Sequence, residues 1–146
     1  MDRRTFLKAG IGGVTLAAIG GGAYNYLKTV DVKGRILIIG GGAAGCSFAA
    51  RLMNRIKDPD ITLVDPSDRQ YYQPGFTFVA AGIFQPDEIW RPQEESLPKG
   101  IKWVKDSVVE LDPVAQKART AGGQTLEYDF LVLTPGLQLD WNQVEG

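Results

Sequence analysis

ILIIGGGAAG, residues 36–45, joins a continuous aliphatic run to a cluster of glycines, and the reading of that junction decides the fold. Four consecutive aliphatic residues, bounded by Arg35 on one side and glycine on the other, are the pattern of a strand buried on both faces. Gly40, Gly42 and Gly45 then satisfy the spacing G-x-G-x-x-G. The first gives a tight turn out of the strand, the second lets the backbone approach a pyrophosphate, and the third lets the helix pack closely on the strand. A helix is predicted over about residues 43–56, with Phe48, Leu52 and Ile56 as its buried stripe. Its first N–H groups, from Ala43 and Ala44 onward, and its positive dipole end then face the phosphates.

Downstream, the apolar run ITLVD (61–65) reads as a second strand that ends on Asp65. That acid stands about twenty residues beyond Gly45, where the dinucleotide fingerprint requires one. A carboxylate there accepts hydrogen bonds from both ribose hydroxyls and repels a 2'-phosphate, which disfavours NADP. IKWVKDSVVELD (101–112) shows partial alternation, a turn at Asp112–Ala115 leads into KART (117–120), and Ala121–Gly123 turns the chain back into TLEYD (125–129). These segments predict a three-stranded antiparallel meander. FLVLT (130–134) adds a further buried run that closes on Thr134-Pro135-Gly136. The fold class is therefore α/β: a Rossmann-like half-domain of strand, helix, strand, meander and a further parallel strand over residues 35–146, after a linker at 31–34. In two-dinucleotide flavoproteins such a meander follows the glycine fingerprint, whereas NAD-only dehydrogenases continue with alternating strands and helices. The comparison favours FAD over NAD, on fold-level analogy.

Composition narrows the chemistry. A chain of 146 residues has room for one domain plus a short appendage, and a net charge of -1 leaves no basic field for nucleic acid. With no histidine, Ser-His-Asp hydrolysis and His-ligated zinc are removed. Cys46 is the one thiol, so neither an internal disulfide nor a four-cysteine metal site can form. No catalytic side chain and no metal site are expected, and any redox work must come from a cofactor. Although Cys46 falls in the first helical turn, that turn faces the pyrophosphate, and the residue reads as small packing. Glu94 and Glu95 follow the proline-punctuated stretch Trp90-Arg91-Pro92 and read as a solvated face rather than as paired catalytic carboxylates.

The amino-terminal segment reads as an address rather than as part of the fold. Arg3-Arg4-Thr5-Phe6-Leu7-Lys8, followed by a Gly/Ala-rich run from Ala9 to Ala23, resembles a bacterial twin-arginine export signal over residues 1–30. The run is shorter than the ~20 residues that span a bilayer comfortably. No clean Ala-x-Ala cleavage site lies between Ala17 and Lys33, which leaves retention as a membrane tether open beside cleavage. A periplasmic location, engagement of the twin-arginine machinery and contact with the membrane surface are the expectations, and that route suits a protein that folds around a bulky cofactor before export.

With these elements in place, YYQPGFTFVAAG (71–82) and YDFLVLTPGLQLDWNQVEG (128–146) carry a resemblance to the sulfide:quinone oxidoreductases and the flavoprotein subunits of flavocytochrome c sulfide dehydrogenase. It covers about Arg35 to Gly146. The resemblance implies FAD as cofactor, sulfide as reductant, and a quinone as acceptor or, in the second group, a c-type cytochrome. It implies that Tyr71 to Gly75 line the flavin end, that the Val108 backbone meets the adenine, and that Thr134, Pro135 and Gly136 approach the flavin. The two tyrosine side chains read equally well as caps on the edge of the core. Where the flavocytochrome group carries a cysteine that binds flavin covalently, this chain has Gln73 and Pro74, so the flavin is expected to be held without a thioether. The family's redox cysteines and quinone pocket lie beyond the position matched by Gly146. The expectation is thus the amino-terminal part of such an enzyme, inactive alone, with a non-catalytic nucleotide-binding remnant as the remaining reading.

Overall fold

A computed structural model describes residues 29–138 together with Asp140 and Gln143, and the export signal expected at residues 1–30 lies, but for its last two positions, outside the described residues. Strand β1 (Arg35–Ile39) leads through the glycine turn into helix α1 (Ala43–Arg55), which returns to strand β2 (Asp60–Val64). β1 and β2 pair in parallel from Arg35 opposite Asp60 to Ile39 opposite Val64. The last strand, β9 (Phe130–Leu133), pairs in parallel with the other side of β1, and β5 (Lys102–Val104) flanks β2. The sheet order is therefore β5-β2-β1-β9, all parallel.

The unbroken aliphatic run of β1 has a direct cause. Alternate residues of a strand point to opposite faces, so burial on both faces requires apolar residues at every position. Ile36 and Ile38 pack with Ile61, Leu63, Ala49 and Ile56 on the α1 side, while Leu37 joins Val64, Ala118 and Tyr128 on the other. Full burial of an aliphatic side chain of this size contributes about 1.5–3 kcal/mol. That second face is covered by a separate antiparallel sheet, β6 (Val108–Asp112), β7 (Lys117–Thr120) and β8 (Thr125–Glu127). The expected meander thus exists, and its inward residues Ala118 and Tyr128 close the core from below.

Two expectations require correction. The helix does not bury Phe48, which is 42% exposed; its inward residues are Gly45, Cys46, Ala49, the half-buried Leu52 and Met53, and then Ile56 just past its end. Positions 45, 49, 52 and 56 form a stripe of helical period, and Phe48 stands one residue, about 100°, off it. Only small residues fit in the first two turns because the helix starts hard against the strand ends. The second correction concerns residues 101–112, expected as one strand of the meander: they form β5 in the parallel sheet and β6 in the meander. Asp106 separates them, its own N–H donating to Val104 O and its carboxylate accepting from the N–H groups of Ser107 and Gly122. Those bonds, with one from Thr120, hold the Asp106 carboxyl below the usual carboxylate range.

The connection from β2 to β5 carries more order than its prolines suggest. β3 (Arg69–Tyr71) and β4 (Trp90–Pro92) form a short antiparallel ribbon, with the Arg69 guanidinium 4.2 Å from the centre of the Trp90 ring. Between them lie α2 (Gly75–Ala80) and a single 3-10 turn at Pro86–Ile89, closed by reciprocal hydrogen bonds between Gln85 and Glu88. After β4 comes one turn of helix, α3 (Gln93–Ser96), on which Glu94 and Glu95 are exposed as the sequence suggests.

Candidate functional site: the glycine mouth at the carboxyl edge of the sheet

The three fingerprint glycines occupy three physically different situations. Gly40 leaves β1 with φ +100°, a conformation that favours glycine, and a Cβ there would collide with the carbonyl of Thr134. Gly45 is buried in the first turn of α1, and a Cβ on it would overlap the carbonyl oxygen of Gly40. Gly42, by contrast, is exposed, and a Cβ on it would meet nothing within 4 Å. The first and third therefore close the turn, while the second faces open space.

Thr134 belongs to the same construction. At the end of β9 its N–H donates to Ile39 O at 2.8 Å, and its Oγ1 lies 3.1 Å from Ile39 O and 2.9 Å from Gly40 O. The segment Thr134-Pro135 is thereby laid against Gly40, and Gly136 turns away with φ +75°. Asp65, at the end of β2, approaches from the other side. Its Oδ2 accepts from the Gly41 N–H at 2.5 Å and its Oδ1 from the Ser67 N–H at 2.8 Å. Gly40, Gly42, Gly45, Asp65 and Thr134, widely spaced in sequence, thus border one mouth.

Helix α1 opens onto this mouth with no side-chain cap and no acidic residue in its first turn. An uncapped amino terminus concentrates unpaired N–H groups and the positive end of the helix dipole. The arrangement suits an anion that brings its own oxygen acceptors, as a diphosphate does. Alongside the first two turns runs a cleft of about 710 Å³, lined among others by Ala43, Ser47, Gln70, Tyr71, Tyr72 and Trp90. The tyrosine pair thus faces the opening of α1 rather than solvent alone. Gln73 is exposed in the loop between β3 and α2 and does not line that cleft, and Val108 starts β6 half-buried against the second core face. Neither is joined to the mouth by a hydrogen bond among the described residues.

Sequence reasoning missed two residues. Gln93, only 1% exposed, reaches from α3 to donate from Nε2 to Gly41 O at 2.6 Å. The amide nitrogen of Gln70 faces Gln93 Oε1 at 2.9 Å and Gly41 O at 3.0 Å, while its amide oxygen faces the Ala43 N–H at 3.2 Å. No spacing or hydropathy signal marks either glutamine, because both act through partners distant in sequence. Cys46 also donates from Sγ to Gly41 O, at 3.0 Å. Burial first, and the nearby Asp65 charge second, push its thiol above the ordinary range. The dipole of α1 does not prevail, and the residue is a packed donor rather than a nucleophile. In the native chain Cys46 is therefore expected to react with a disulfide reagent such as Ellman's about tenfold or more slowly than in the urea-unfolded chain. Equal rates in the two states would contradict this placement.

Comparison with known proteins follows the same geometry. Residues 34–144 match the pyridine nucleotide-disulphide oxidoreductase family. The mitochondrial sulfide:quinone oxidoreductase of Dictyostelium discoideum is 42% identical over 113 residues, which are 77% of this chain and 25% of that protein. Its counterpart from Mus musculus is 35% identical over 111 residues, 76% of this chain and 25% of that protein. Among solved structures, the sulfide:quinone oxidoreductase of Aquifex aeolicus superposes with a TM-score of 0.66 at 27% identity, over 75% of this chain and 26% of that one. The chain spans about a quarter of the length of the curated relatives it matches.

Proposed function

The chain belongs to the pyridine nucleotide-disulphide oxidoreductase family, and from that premise we propose that it forms the FAD-binding portion of an oxidoreductase that oxidises sulfide and reduces a quinone. Its cofactor is FAD. The observation that carries the reading is the mouth at Gly42, where an uncapped helix start, an open Cβ direction and a carboxylate at the neighbouring strand end converge. The sulfide and quinone assignments rest on the likeness to the Dictyostelium, mouse and Aquifex proteins.

In this proposal the Gly42, Ala43, Ala44 and Gly45 backbone and the α1 dipole offset the charge of the diphosphate. Asp65 holds the adenosine ribose with the acceptor capacity that its two backbone bonds leave over. The Tyr71–Gly75 loop shields the flavin end from water, the Val108 backbone borders the adenine, and Thr134, Pro135 and Gly136 border the flavin side. When bound, FAD supplies the two-electron exchange that no side chain of this sequence provides. Gln73 offers no thiol, so the cofactor is held without a covalent link. Export by the twin-arginine route and work at the membrane surface complete the proposal, supported by Arg3 to Lys8 and their apolar sequel.

The test is to mix the purified full chain with FAD, remove the free cofactor and record the visible spectrum before and after denaturation. One flavin per chain is expected, all of it released on unfolding. Sulfide added to the loaded chain is expected to bleach the flavin no faster than it bleaches free FAD, because the one thiol present is buried beneath the glycine loop. A folded chain that retains no FAD would refute the reading.

A further inference from the structure

We propose that Gln93 is a positioning residue that aims the Gly42 N–H at the phosphates of the dinucleotide; the inference rests on the FAD reading above and deepens it. A trans peptide is planar, with its C=O and N–H pointing in opposite directions, and the described residues contain no cis bond. Whatever fixes the Gly41 carbonyl therefore fixes the direction of the Gly42 N–H. That carbonyl points inward, toward Gln93 Nε2 at 2.6 Å, Cys46 Sγ at 3.0 Å and the Gln70 amide nitrogen at 3.0 Å. The Gly42 N–H consequently points outward, on the side where a Cβ would meet nothing and where no acceptor stands among the described residues.

The loop requires such a device. Two successive glycines at 41 and 42 turn their shared peptide plane at little steric cost, so without a clamp the plane would sample orientations with the donor turned away from the ligand. Of the three donors, Gln93 is the one held on every side. Its backbone N–H donates to Asp68 O at 2.9 Å, its Oε1 accepts from Gln70, and its Nε2 also lies 3.8 Å from Cys46 Sγ. A thiol is a weak donor, and Gln70 sits on a three-residue ribbon strand and is only half-buried. A buried neutral amide also brings no charge that would oppose an arriving anion. Gln93 is thus best placed to set the plane, and it acts on the ligand only through the main chain.

The experiment titrates the full apo chain with ADP and with adenosine, in the wild type and in Gln93→Leu and Gln93→Met, and records the melting temperature of each. Both variants keep an apolar side chain of similar size and lose the donor. ADP affinity is expected to fall by about tenfold, while adenosine affinity stays within about twofold, because only the phosphates meet the aimed amide. An equal fall for both ligands, or unchanged ADP affinity, would overturn the proposal, as would failure of both variants to fold, which would make Gln93 a core residue. A wild type that binds neither ADP nor FAD would instead remove the FAD reading beneath it.

Discussion

Gly42→Ala is expected to lose FAD while keeping its fold, and Gly45→Ala to lose its fold, although the two glycines belong to one motif. At Gly42 the backbone has φ -67° and ψ -170°, which alanine adopts without strain, and the added methyl group meets no protein atom. Alanine is a poorer helix N-cap than glycine, but it lowers the entropy of the unfolded chain by about 0.4–1 kcal/mol, so the two effects nearly cancel. The methyl group nevertheless stands where the main chain must approach the diphosphate, and affinity should drop by about tenfold or more. At Gly45 the methyl group lands on the Gly40 carbonyl and lies 3.0 Å from Thr134 Oγ1. Relief requires the helix to lift from the junction of β1 and β9. Overpacking of this kind costs about 3 kcal/mol or more, which in a chain of this size lowers the melting temperature by roughly 10 °C. Scanning calorimetry on the apo variants and fluorescence titration with FAD separate the two. If both properties fall together in both variants, the division of labour assigned to the glycines is wrong.

That division was legible in the sequence because the constraints on Gly40, Gly42 and Gly45 are local backbone constraints, and only glycine meets them. Asp65 and Thr134 were legible for a related reason: each stands at the end of an apolar run, and parallel strands bring their carboxyl ends to one edge. Periodicity gave the α1 stripe its spacing but not its phase. Residues 48, 52 and 56 and residues 45, 49, 52 and 56 satisfy the same period, and the choice between them falls to the space beneath the helix, which admits Gly45 and Ala49 but no ring. The break at Asp106 depends on the Gly122 N–H, sixteen residues away, and Gln93 depends on Gly41, 52 residues away. Partners of that kind leave no trace in a window of hydropathy. The uncharged clamp beneath the loop was accordingly invisible, whereas the charged residue at its rim was not.

Asp65→Asn is expected to weaken FAD binding by about tenfold to a hundredfold and to destabilise the apo chain by about 1–3 kcal/mol, for two separable reasons. A carboxylate accepts only, on about four lone-pair sites, and two of these already serve the Gly41 and Ser67 N–H groups. Asparagine has one oxygen, so in either orientation its NH2 confronts one of those backbone donors and leaves it unpaired. The loss of the loop anchor would weaken every phosphate-bearing ligand alike. Loss of the ribose contact would instead erase discrimination, so the decisive comparison is ADP against 2'-deoxy-ADP in the two proteins. The wild type should prefer ADP, and the preference should shrink in Asp65→Asn as overall affinity falls. A preference that survives the substitution unchanged would confine Asp65 to bracing the glycine loop, and the sugar would then be held by other groups at the same edge of the sheet.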